Sequence, residues 1–115
     1  MRMVVALIQP AKLKAVQEAL AKIGVERMTV CDALGYGQQR EHANDETKAP
    51  ANKLLRKVAL EIAVNEDFLE RTVDTIAHIA RSGSGGAIGD GKIFVMPIEE
   101  VVRLSDTVRG MEAVS

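Results

Sequence analysis

Tryptophan is absent, and Tyr36, Phe68 and Phe94 are the only aromatic rings in the chain, so it has no platform on which successive bases could stack. The formal net charge of −1 removes the other footprint of nucleic-acid binding, a large excess of lysine and arginine. No nucleic-acid partner is expected. Cysteine is limited to Cys31, which excludes an internal disulfide, and neither a second thiol nor a nearby histidine gives metal-ligand spacing. Cys31 is therefore expected to be a buried structural thiol. Long apolar runs are missing too, and Met1 leads into a strand-like segment without a charged-then-apolar presequence. The expectation is a cytoplasmic protein. The two histidines, His42 and His78, have no carboxylate or nucleophile fixed beside them by sequence, so no catalytic residues are assigned and no enzyme is expected.

What remains is a chain of 115 residues, 47% of them apolar, enough for one domain with a core of its own. Met3 to Ile8 is continuously apolar and β-branched, and reads as a strand buried on both faces. Pro10 opens a helix whose Leu13, Val16, Leu20 and Ile23 share one face, and Gly24 stops it. Met28 to Leu34 reads as a second strand. Val58 to Val64 reads as a third, with Val58, Leu60, Ile62 and Val64 on one side and Ala59, Glu61 and Ala63 on the other. Asn65, Glu66 and Asp67 supply capping groups for a second helix with Leu69, Val73, Ile76 and Ala80 on one stripe. Ile93 to Met96 is a fourth strand, and Ile98 to Leu104 reads as a short helix.

The order βαββαβ specifies an α+β, ferredoxin-like plan: a four-stranded antiparallel sheet with both helices on one face. Two helices leave the other face bare, and a closed ring of subunits is the natural way to bury it, with ligand sites in the clefts between subunits.

Two stretches fall outside this regular plan. Gly83 to Lys92 holds five glycines in ten residues, with Asp90 and Lys92 adding one charge of each sign; it reads either as an anion cradle or as a flexible connector. From Gly86 the spacing G-x-x-x-x-G-K imitates a P-loop. The imitation fails at Ile93, where a serine or threonine is needed for magnesium, and again downstream, where a strand follows in place of a helix. The second stretch, Gly35 to Lys57, is a polar insert longer than a hairpin needs, and reads as a functional loop or a tolerated insertion.

The segments G-Y-G-Q-Q-R-E-H from Gly35 to His42, K-V-x-L-E-I from Lys57 to Ile62 and I-G-D-G-K-I-F-V from Ile88 to Val95 resemble the PII family of nitrogen-signalling proteins. The resemblance runs from Met1 to about Arg103. It implies a homotrimer whose intersubunit clefts bind ATP or ADP and whose T-loop, 35–57, touches an effector protein or membrane transporter. It also implies one domain over 1–115, with 82–92 as nucleotide loop and 105–115 as C-terminal tail. Carried over residue by residue, Thr29, Gly35, Gly37, Glu61 and Val64 line the adenine and ribose side. Gly89, Asp90, Gly91 and Lys92 hold phosphates together with Arg103 of the adjacent subunit, while Gln39 and Lys57 serve magnesium and 2-oxoglutarate.

The departures from the family pattern are Gln38 and Ser105 where arginines are usual, Glu41 where a glycine bends the loop, three extra residues before Ile88, and no tyrosine from His42 to Lys53. Fewer phosphate cations imply that ADP competes well with ATP. The lack of a T-loop tyrosine argues against uridylylation. Two other classes stay open on the residues alone: a trimeric ferredoxin-like metal-response module, and a small ferredoxin-like enzyme using His42 or Cys31. The glycine loop favours nucleotide over metal.

Overall fold

The computed structural model describes residues 1–36 and 54–115, and has the βαββαβ order expected from the sequence. Four strands, β1 (Arg2–Ile8), β2 (Thr29–Tyr36), β3 (Leu54–Val64) and β4 (Gly91–Pro97), form one antiparallel sheet in the order β2-β3-β1-β4. The helices are α1 (Leu13–Lys22), entered through a 3₁₀ turn at Pro10–Lys12, and α2 (Glu66–Ala80).

The period-two pattern of β3 is realised as read: Val58, Leu60, Ile62 and Val64 are buried while Glu61 is exposed. These side chains meet Val4, Ala6 and Ile8 of β1, Val16 and Leu20 of α1 and Ile76 of α2 in a single core between sheet and helices. Thr72 is buried with them. Its hydroxyl donates to the Phe68 carbonyl at 2.7 Å, which satisfies it inside the helix.

Several expectations change. β1 is buried on its helix side alone; Met3, Val5 and Leu7 are only half-buried, because nothing in the single chain covers the other face. Cys31 is exposed, because it lies opposite Ala59 and so points to the helix-free face of the edge strand β2. The insert is shorter than 35–57: β2 continues to Tyr36 and β3 starts at Leu54, in continuous register from Thr29↔Glu61 to Tyr36↔Leu54. Asn65 precedes α2 in extended conformation but makes no side-chain cap bond; its amide instead donates to the Met111 carbonyl at 3.3 Å.

Ile98 to Leu104 forms no helix. The amide of Ile98 donates to the Met1 carbonyl, and the chain then turns through 104–106, closing with Arg103 N to Val108 O at 2.9 Å and a Val102↔Arg109 bridge. The apolar residues there serve a hairpin-like turn, and a 3₁₀ turn at Gly110–Ala113 follows, burying Ala113.

β4 enters beside the end of β1, with Ile8↔Gly91 and Leu7↔Lys92 as partners. Gly91 has φ +122°, and a Cβ there would lie 1.7 Å from the Leu7 carbonyl oxygen. Only glycine permits this pass. Gly91→Ala is expected to cost about 3 kcal/mol or more. Urea denaturation measures it; stability equal to that of the wild type would contradict the close approach.

Candidate nucleotide-binding cleft

The glycine-rich segment has a definite shape, and Asp90 gives it that shape. The Asp90 carboxylate accepts the Ser82 amide at 2.9 Å, the Ser82 hydroxyl at 2.5 Å and the Ala87 amide at 2.7 Å, while the Asp90 amide donates back to the Ala87 carbonyl at 3.2 Å. Burial pushes the Asp90 carboxyl upward, but the Ser82 and Ala87 hydrogen bonds and the charge of Lys12 outweigh it and hold the group below its ordinary value. The segment 82–90 is therefore a closed turn with a carboxylate at its centre. The side chain assigned to a phosphate turn folds inward and shapes the turn.

The turn is also tied to the sheet. The Gly89 carbonyl accepts from the Lys57 ammonium at 2.7 Å and from the Gln9 side-chain amide, linking β3 and the end of β1 to the same peptide. Gly35 makes room for this. A Cβ at Gly35 would come within 3.2 Å of Lys57 Cγ, since the two are diagonal neighbours across the β2–β3 ladder.

On the helix-free face these groups surround a cleft of about 480 Å³, lined by Leu7, Gly35, Leu55, Lys57, Gly89 and Lys92 among others, with Phe94 at its edge. Its lining is mostly apolar and includes two lysines, Lys57 and Lys92. That composition suits a ligand with a flat apolar part and an anionic part.

The single chain brings together Gly35, Lys57, Gly89, Asp90, Gly91 and Lys92. It does not bring Thr29, Glu61, Val64 or Arg103 to them. Thr29, the first residue of β2, pairs with Glu61, which pairs with Val5 in the middle of β1, well away from the turn. Lys57 and Glu61 are four strand residues apart, roughly 13 Å, and Val64 lies roughly 23 Å from Lys57. Glu61 is exposed on the helix-free face, whereas the Val64 side chain is in the core, so only its backbone can meet a ligand. Arg103 follows β4, whose last residue, Pro97, pairs with Arg2 at the start of β1; the glycine turn stands at that strand's other end. Gly37, Gln38 and Gln39 lie outside the described residues.

Three comparisons agree. The family model "Nitrogen regulatory protein P-II" matches residues 1–107. The chain belongs to the P-II family. It is 44% identical to nitrogen regulatory protein GlnK1 of Methanosarcina mazei, with 99% of this chain and 97% of that one aligned, and 40% identical to the P-II protein of Bradyrhizobium diazoefficiens, covering 99% and 100%. Among solved structures, Arabidopsis thaliana PII bound to citrate superposes with a TM-score of 0.78 at 35% identity, over 99% of this chain and 89% of that one. P-II proteins are regulators that transmit signals and are not enzymes. His78 is exposed on α2, as a surface residue.

Sequence reasoning missed Gln9 and Ser82, which hold the P-II glycine turn, and Asp106, which holds Arg103. An amide beside a proline and a serine before a glycine carry no pattern of their own. The R-x-x-D spacing at a turn was the one available signal. Asp90→Ala removes the carboxylate that closes the turn and is expected to lower stability at pH 7 by about 1–3 kcal/mol. Because Asp90 is held below the ordinary carboxylate range in the folded protein, its contribution is complete at neutral pH and is lost as pH falls through the folded-state pKa. The stability difference between wild type and variant should therefore be constant through neutral pH and narrow as the pH is lowered below the ordinary carboxylate range; a difference that never narrows in acid would contradict the assignment.

Proposed function

We propose that this P-II protein is a homotrimeric sensor that binds ATP or ADP in the clefts between subunits and reports occupancy through its T-loop. The observation that carries the reading is the division of the expected site: the glycine turn, Gly35 and Lys92 lie at one end of the sheet, and Thr29, Glu61 and Arg103 lie towards the other. A ring in which the helix-free face is covered by neighbours would put the two ends of adjacent subunits against each other. The half-buried Met3, Val5 and Leu7 on that face supply the apolar surface for such contacts.

In this reading Lys92 and the amides of the glycine turn hold the phosphates of one nucleotide, and Arg103 of the neighbour adds a guanidinium fork. Gly35 and Gly37 of one subunit, with Thr29, Glu61 and the Val64 backbone of the next, face the adenosine. Magnesium would arrive with the phosphates, because no group of three His, Cys, Asp or Glu side chains among the described residues is disposed to hold a metal. A 2-oxoglutarate site at Gln39 and Lys57 is part of the same reading. Lys57 already touches the Gly89 carbonyl, so a carboxylate drawn to it would act directly on the nucleotide turn. No helix among the described residues is long and apolar enough to cross a membrane. A cytoplasmic regulator that meets an effector protein or a membrane transporter through its T-loop fits this reading.

Lys92→Ala removes a charge-assisted hydrogen bond and is expected to weaken ATP and ADP binding about tenfold or more. Calorimetry on samples shown to be trimeric by light scattering tests both parts. A stable monomer at micromolar concentration, or an unchanged Kd in the variant, would overturn the reading.

A further inference from the structure

The guanidinium of Arg103 is already engaged. Its Nε donates to Asp106 Oδ1 at 3.1 Å and one terminal nitrogen donates to Asp106 Oδ2 at 2.7 Å, a bidentate fork on one carboxylate. The other terminal nitrogen donates to the carbonyls of Glu112 at 3.0 Å and Ser115 at 3.1 Å. All but one of the N–H donors of a guanidinium are occupied by the chain's own tail.

Asp106 is held in position for this. Its Oδ1 also accepts the Val108 amide at 3.1 Å, and the turn closes with Thr107 N donating to the Arg103 carbonyl at 2.7 Å. Thr107 itself stands at φ +59°, a conformation that a β-branched residue rarely adopts. The carboxylate is thus locked to the backbone on one side and presented to Arg103 on the other.

A carboxylate and a phosphoryl group offer the same pair of oxygens to an arginine fork. Accepting the reading above, in which Arg103 reaches a nucleotide phosphate, we propose that Asp106 is an internal phosphate mimic that clasps Arg103 in the nucleotide-free protein and must be displaced when a nucleotide binds. Asp106 is then a residue that sets nucleotide affinity without touching the nucleotide. The pair is half-exposed, with 33% of the Arg103 side chain and 44% of Asp106 open to solvent. Exposed ion pairs are weak, so an incoming phosphate can compete on comparable terms. A buried pair would be too costly to open, and an arginine with no partner would leave nothing to displace.

The test is calorimetry with ADP and with ATP on the full chain. Asp106→Asn keeps an oxygen for the Val108 amide and removes the charge, so the turn survives while the clasp weakens. Binding of both nucleotides should tighten by about two- to fivefold, the range open to an exposed pair. The gain should vanish in an Arg103→Ala background, as a double-mutant cycle requires. Equal or weaker binding by Asp106→Asn, or a gain that persists without Arg103, overturns the clasp while leaving the nucleotide reading intact. Absence of binding in the wild type and every variant removes the nucleotide reading and the clasp with it. A measurement on the unaltered protein guards against misfolded variants: the carboxyl ¹³C resonance of Asp106 should move when ADP is added, and a resonance that stays in place under saturating ADP overturns the displacement.

Discussion

The close pass of β4 along the end of β1 is the constraint on which the rest of the site depends. Gly91 lies so near the Leu7 carbonyl that no side chain could stand there, and that contact fixes where the glycine turn leaves the sheet. From this point the turn can reach only one strand corner, where Lys57 and Gln9 grip the Gly89 carbonyl. Lys92 follows directly in the strand and is aimed at the helix-free face beside Leu7, its antiparallel partner. A loop that looks flexible in composition is thus held from three directions: by β1, by β3 and by its own aspartate.

The same geometry leaves each chain with two unlike ends. One carries the turn and two lysines; Thr29 and the tail that contains Arg103 lie towards the other, with Glu61 between them and the turn. Strand length sets the gap between them, because residues on one face of a strand advance roughly 6–7 Å per pair. The proposed assembly turns that separation into a cleft with a contribution from each side. It also gives the tail clasp a purpose: an arginine destined for a neighbour's ligand needs a partner while the ligand is away.

The core was legible because its signals are periodic. Val58, Leu60, Ile62 and Val64 alternate cleanly, and α1 and α2 show their apolar stripes, so element type and order follow from burial alone. Legibility failed where apolar residues serve something other than the core. Ile98 to Leu104 looks like a short helix by composition, yet the chain there is tethered to Met1, a contact that no local pattern announces, and then bends at a turn that Asp106 closes on the Val108 amide. Cys31 looks like a core residue by type but faces the helix-free side of an edge strand, and strand register and order are decided by topology. In the cleft, the glycine spacing marked where the chain turns, whereas the inward fold of Asp90 depends on Ser82, whose role only the closed loop reveals.

The central claim is that one nucleotide site is built from opposite ends of two neighbouring subunits. Subunit mixing tests it most directly. A Lys92→Ala protein lacks one half of the site, and a Glu61→Arg protein has the other half blocked, so neither should bind ADP tightly alone. Dissociated and reassembled together in equal amounts, they should regain tight binding at about a quarter of the sites, the share of interfaces that unite two unaltered halves in a closed ring. Calorimetric stoichiometry reads that fraction. Recovery near this value agrees with a shared site, and mixed assemblies that bind no better than their parents would contradict it.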